Sequence, residues 1–240
     1  MESGLYVSLS AQLSLERRMD TVARNVANMN TAGYRADAVS FSSLVSNAGE
    51  HPVSFASMGE TFVDRQAGPI THTGNPLDVA IDGDGWLGIV TGNGTGYTRD
   101  GRMQLGIDGV LRTVNGNPVT DVGGTPVAVD PQGGPLTITK DGTISQGGQQ
   151  VAVLGLFQLA KDATLTRAGN SGFLSDKPAT AVVEFTNNGF QQGYAEGSNV
   201  NPMMEMTSLI SISRAFDSAN SAIQKMEDAQ QKAVRDLGDV

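Results

Sequence analysis

Cysteine is absent from this 240-residue chain and histidine occurs only twice. No disulfide, thiol nucleophile or thiolate-held metal is available to it, and His51 and His72 lack the repeated carboxylate–histidine spacing of a zinc centre. Basic residues are also scarce, 16 against 25 acidic, for a formal charge of -9. A diffuse negative surface argues against DNA or RNA, whose phosphates need concentrated Lys and Arg. No apolar run approaches the length of a single membrane-crossing helix. The opening Met1-Glu2-Ser3-Gly4-Leu5 lacks both a basic n-region and a continuous apolar h-region. A cleaved signal peptide is therefore not expected, and an exported chain of this kind needs another route.

What the chain does have is two similar ends around a dissimilar middle. In residues 5–29, Leu15, Met19, Val22, Val26 and Met29 recur at 4-3-4-3 spacing and form one stripe of a helix. Gly33 offers a left-handed terminating position beyond it. At the other end Asn201 suits an N-cap, Pro202 the first helical position and Glu205 the positive end of the dipole. From there Leu209, Ile212, Phe216, Ala219, Ile223, Met226, Gln230, Ala233 and Leu237 keep a 3-4 spacing over four heptads. That pattern reads as a coiled-coil-like seam. Two helices alone would leave outer apolar residues such as Ile210 exposed, so packing with neighbouring copies is expected. The alternative is that both helices cover the sheet of one globular domain.

Most of the chain's 30 glycines lie between the ends, and they follow no period of three, which excludes collagen. Short β-prone runs alternate with turn dipeptides. Asp108-Gly109 between 103–107 and 110–113 is a hairpin signal, and Asn115-Gly116, Asp141-Gly142 and Asn188-Gly189 mark further turns. No helical period intervenes, so the middle reads as an antiparallel or barrel-like β domain. The expected fold is mixed α and β, divided as 1–34 (assembly helix), 35–75 (connector), 76–197 (β domain) and 198–240 (assembly helix).

Chemistry-bearing motifs fail on context. Gly83-Asp84-Gly85-Trp86-Leu87-Gly88 matches G-x-G-x-x-G but runs from one strand into another, with no helix terminus to face a pyrophosphate. Asp82-Gly83-Asp84 begins like a calcium loop, yet Trp86 and Leu87 take the next ligand and glycine positions. Gly169-Asn170-Ser171-Gly172 is not a spaced nucleophile elbow. No catalytic residue, metal ligand or cofactor site is expected.

Four blocks carry a family resemblance. Asn25-Val26-Ala27-Asn28-Met29-Asn30-Thr31-Ala32-Gly33-Tyr34 resembles the N-[LIV]-A-N-x-N-T-x-G-[FY] motif of bacterial flagellar rod and hook proteins. Gly74-Asn75-Pro76-Leu77-Asp78-Val79-Ala80-Ile81-Asp82-Gly83-Asp84-Gly85-Trp86, then Tyr97-Thr98-Arg99-Asp100-Gly101, then Gly197-Ser198-Asn199-Val200-Asn201-Pro202 follow in the family's order. Tyr34 and Trp86 replace the usual phenylalanines and keep an aromatic ring.

The chain is most similar to the family's proximal-rod members, with the distal-rod members next. Hook proteins normally carry a larger middle. The resemblance implies a structural subunit of the periplasmic drive shaft, exported unfolded through the flagellar type III apparatus and transmitting torque from motor to hook. Its partners would be other copies and neighbouring rod proteins. A soluble β-domain binding module with helical oligomerisation ends is the non-structural alternative.

Overall fold

The computed structural model describes residues 2–40, 43–46, 53–56 and 59–238. It is a mixed α and β protein, and every strand pairing among the described residues is antiparallel. The chain divides into two compact units. One, the helical unit, combines Met1–Ala27, Asp37–Val63 and Asn201–Val240; the other, the β unit, combines Asn28–Ala36 and Asp64–Val200.

In the helical unit, α1 (Glu2–Ala27) and α2 (Pro202–Gly238) pack antiparallel. The direction follows from two side-chain pairs. Gln12 donates to Asn220 at 3.0 Å and Asn25 donates to Glu205 at 3.1 Å, so residue numbers rise along α1 as they fall along α2. The start of α2 follows its sequence signals. The Asn201 side chain accepts the Met204 N–H at 3.3 Å, and its carbonyl accepts the Glu205 N–H at 3.0 Å. At 37 residues, α2 is roughly 55 Å long.

Val22 and Ile212 are buried, while Leu15, Met19, Val26, Leu209, Phe216 and Ile223 are half-buried. Full burial of a side chain such as Val22 or Ile212 stabilises by about 1.5–3 kcal/mol, against a residue-wise ordering cost of similar size. Met226 is exposed, and the side chains of Gln230, Ala233 and Leu237 lie outside the described residues.

The segment read from sequence as a connector carries strands. Asp37–Ser40 pairs with Glu60–Val63, and Ser43–Ser46 pairs with Val53–Ala56 nested between them. Runs of four residues are too short to stand out against the turn formers around them. The position of Gly33 also differs from the simple helix-stop reading. Gly33 is left-handed (φ 65°), but α1 already ends at Ala27.

In the β unit a six-stranded sheet has the neighbour order Leu165–Ala168, Gly172–Ser175, Gly94–Thr98, Trp86–Thr91, Leu156–Gln158, Thr180–Ala181. The hairpin at Asp108-Gly109 forms as its dipeptide predicts, joining Met103–Leu105 to Leu111–Thr113 with Gly109 at φ 77°. Asp82-Gly83-Asp84-Gly85 behaves differently from a hairpin. Asp82 pairs with Gly189 whereas Trp86 pairs with Phe157, so the turn hands the chain from one sheet to another. Val79, Ile81, Leu87, Ile89, Leu111, Ile144, Leu154 and Leu156 form the centre of the core, all essentially inaccessible to solvent.

His72 stacks edge-on against Tyr194, ring centres 4.9 Å apart. His51 lies outside the described residues. Among the described residues no group of three or more His, Asp or Glu side chains is placed to hold a metal ion.

Candidate functional site

The first family motif is split between the two units, and its residues do different work in each. In the helical unit, Asn25 is buried and acts as a substitute strand for Asp37. Its Oδ1 accepts the Asp37 N–H at 2.9 Å, and its Nδ2 donates to the Asp37 carbonyl at 2.9 Å and to Glu205. A side-chain amide is the group that supplies a donor and an acceptor side by side, which explains asparagine here. Arg24 adds an ion pair to the Asp37 carboxylate at 3.5 Å.

In the β unit, Asn28 and Thr31 close a turn. The Thr31 N–H and hydroxyl donate to the Asn28 carbonyl and side chain at 3.0 and 3.1 Å, and the Tyr34 N–H donates to the Thr31 carbonyl at 3.3 Å. Asn30 is exposed and Met29 half-buried. Gly33 then passes against another backbone. Its N–H donates to the Glu196 carbonyl at 2.8 Å, and a Cβ there would overlap the backbone nitrogen of Asp100. Glycine is required twice over, by the positive φ and by the contact. Tyr34 is buried, with the Arg167 guanidinium 4.3 Å from its ring centre.

Beyond Tyr34 the second, third and fourth blocks meet around a charge cluster. Arg35 Nη1 lies 2.5 Å from Glu196 Oε1, and Arg99 Nε lies 2.7 Å from Glu196 Oε2, with side-chain exposures of 1%, 0% and 2% for Arg35, Glu196 and Arg99. Arg99 also donates to the carbonyls of Ile81 and Gly83, each within 2.9 Å, and to that of Gly85. Arg35 is less well served. Its Nη1 is close to the carboxylate but not aligned for a hydrogen bond, so that contact is chiefly Coulombic, and its Nε has no acceptor. Burial lowers the Arg35 pKa, opposed by Glu196 and helped by the like charge of Arg99. It remains charged at neutral pH because arginine starts so far above it.

Asn199 binds the neighbouring backbone of the β unit together. Its Oδ1 accepts the Ala36 N–H at 2.7 Å, its Nδ2 donates to the Asp64 and Gln66 carbonyls at 3.3 and 3.0 Å, and its own N–H donates to the Tyr34 carbonyl at 3.3 Å. Asp100, from the third block, is buried and takes a two-pronged contact from Arg102 at 2.8 and 2.9 Å.

Sequence reasoning missed Arg35 and Glu196, and quoted Arg99 only as a motif letter. No periodicity marks a buried ion pair. The available signal was position: each charge sits beside a glycine-containing block, Arg35 after Gly33-Tyr34, Arg99 before Asp100-Gly101, Glu196 before Gly197. The donors of Arg99 are spent on Glu196 and on carbonyls, while Arg35 Nε is left over.

Comparison with known proteins agrees with this geometry. Residues 5–35 match the family described as "Flagella basal body rod protein". Residues 80–146 match "Flagellar hook protein FlgE/F/G D1 domain", and residues 191–236 match "Flagellar basal body rod FlgEFG protein C-terminal". The chain is 43% identical over 238 residues to the "Flagellar basal-body rod protein FlgF" of Mesorhizobium japonicum, covering 99% of each. It is 40% identical to the protein of the same description from Rhizobium meliloti, again over 99% of each. With the "Flagellar basal-body rod protein FlgG" of Bacillus subtilis it shares 28% identity, over 98% of each. The motifs around this cluster and the full-length likeness lead to the same place: the chain belongs to the flagellar basal-body rod protein family.

Proposed function

We propose that this chain is a structural, non-enzymatic subunit of the proximal rod, held by coiled-coil-like packing of its terminal helices with those of neighbouring subunits and transmitting torque from motor to hook. The observation that carries the reading is a second apolar stripe on each helix. Tyr6, Leu9 and Leu13 on α1, and Met203, Met206 and Ile210 on α2, repeat at 3-4 spacing and stay exposed after the two helices have packed. At 3.6 residues per turn these stripes lie roughly a third of a turn away from the Leu15–Val26 and Leu209–Ile223 faces. Exposed apolar stripes of that kind mark surfaces that pack against something else. The inner stripes join the chain's own ends, and the outer ones are left for other copies and neighbouring rod proteins.

Proximal placement rests on the FlgF-named relatives, at 30–43% identity, against 28–29% for the FlgG-named ones. On this reading the residues 1–34 and 198–240 serve assembly, 76–197 form a β-rich domain, and the subunit reaches the periplasm unfolded through the flagellar type III apparatus. Complementing a strain that lacks its own rod subunit with Leu9→Asp or Ile210→Asp tests the assignment. Lost motility with unchanged folding of the purified variant supports it; full motility from both variants rejects it.

A further inference from the structure

Arg35, Arg65, Arg99 and Lys161, four of the chain's 16 basic residues, converge on one cavity of about 350 Å³ inside the β unit. Such a concentration of positive charge runs against the chain's net charge of -9. The volume falls at the small end of ligand pockets, about 300–1,000 Å³. Trp86 forms part of its wall, with the Arg35 guanidinium 5.8 Å from the ring centre, and exposed Asp84 stands at its edge.

The positive charge there is only partly balanced from within. Arg65 donates to the carbonyls of Ala160 and Ala163 at 2.8 and 2.7 Å. Arg99 spends most of its donors on carbonyls as well. Carbonyls satisfy N–H groups but carry no net charge. Asp84 is the carboxylate among the lining residues; behind them Glu196 is shared between Arg35 and Arg99, Asp64 acts on Arg35, and Asp162, already paired with Lys177, acts on Arg65. Buried Arg35 keeps an Nε without an acceptor, an arrangement that costs free energy. A second cavity, about 450 Å³ beside Asn93, Asn115, Asn117 and Asn170, is lined by neutral side chains and has no comparable demand.

We propose that the cavity is an oxyanion site, taking a carboxylate or phosphate group between Arg35 and Lys161 with Trp86 as its apolar wall. The group would belong either to a free small anion or to an acidic side chain of a second copy of this chain. Planar guanidinium with a nearby ammonium is the donor set such groups select.

The full chain is titrated with inorganic phosphate, and separately with acetate, at ionic strength held constant with sodium chloride. Emission from Trp86, the only tryptophan, and the melting temperature are the readouts. A saturable change is expected with each anion. Lys161→Gln, at an exposed position, should weaken it roughly twofold to fivefold, the reach of a partly exposed ion pair. Lys225→Gln, exposed on α2, should leave it unchanged. Sedimentation of the chain with and without phosphate separates the two sources. Dissociation of oligomers by phosphate, blunted in Lys161→Gln, identifies the side chain of a second copy; unchanged association beside saturable binding identifies a free anion. No saturable response, or the same response in wild type and Lys161→Gln, overturns the proposal.

Discussion

Arg35 Nη1 and Glu196 Oε1 stand 2.5 Å apart with both side chains out of water, although the residues come from opposite ends of the β unit's sequence. Arg99 holds the other carboxylate oxygen at 2.7 Å. Changing Glu196 to Gln would leave two guanidinium groups buried without the carboxylate they share. Breaking such a cluster costs about 3–5 kcal/mol, whereas well-packed apolar replacements of all three could be neutral. Urea unfolding of Glu196→Gln should show a loss in that range. A loss below about 1 kcal/mol, the level of a surface pair, would mean that the cluster is effectively solvated.

Two glycines with the same sign of φ should respond unequally to alanine. Gly33→Ala meets the backbone of Asp100 as well as the left-handed penalty, while Gly116 (φ 85°) has nothing within 4 Å of an added Cβ. Gly116→Ala should cost about 1–2 kcal/mol from conformation alone, and Gly33→Ala clearly more. Equal melting temperatures for the two variants would contradict the close approach.

Asn25 is expected to be irreplaceable even by its nearest analogues. Asn25→Asp keeps the acceptor for the Asp37 N–H but turns a carboxylate toward the Asp37 carbonyl and the Glu205 carboxylate. Asn25→Ala abandons both Asp37 backbone groups, at about 1–3 kcal/mol for each one left unsatisfied. Both variants should raise hydrogen exchange at the Asp37 amide. Wild-type protection there would show that the pairing does not hold in solution.

The inner and outer stripes should separate folding from assembly. Ile223→Asp places a charge at a half-buried position in the chain's own helix pair, so it should lower helix content and melting temperature before any partner is added. Ile210 is 55% exposed, so Ile210→Asp should leave both unchanged and lower only association. Circular dichroism and sedimentation on the same samples decide the point. Identical behaviour of the two variants would merge the stripes into one surface.

Acid should reach the exposed turns late. Asp141 is held below the ordinary aspartate range by the Thr139 and Thr143 hydroxyls, and Asp108 by Arg112 and the Val110 N–H. Carboxylates with depressed folded pKa values add stability that is present in full above the unfolded value and is lost as pH falls through the folded one. Asp141→Asn should therefore flatten the lower end of a melting-temperature profile against pH. A profile unchanged below the ordinary aspartate value would remove the hydroxyl contacts from the explanation.

Local rules exposed much of this structure in the residues themselves. Asn201-Pro202 marks the start of α2, and Asp108-Gly109 marks its hairpin, because capping and turn chemistry act within a few residues. The two helices were legible because helical spacing repeats. The outer stripe was less so: Ile210 stood out, but Tyr6 and Met203 sit near helix ends where few repeats accumulate. The strands between 37 and 63 were hidden by their shortness. The Arg35–Glu196–Arg99 cluster was hidden for another reason, since three single charges far apart in sequence are joined only by the tertiary fold.

The order in which the chain supplies its pairing partners sets when the β unit can close. Strand Val79–Asp82 waits for Gly189–Gln192, Ile70–His72 waits for Tyr194–Glu196, and both buried arginines wait for Glu196. A growing or threading chain that has delivered only its first 185 residues holds two unpaired edges and two unmatched cations. Late closure of this kind gives the unit a built-in clock: nearly the whole sequence must be present before its fold becomes self-consistent.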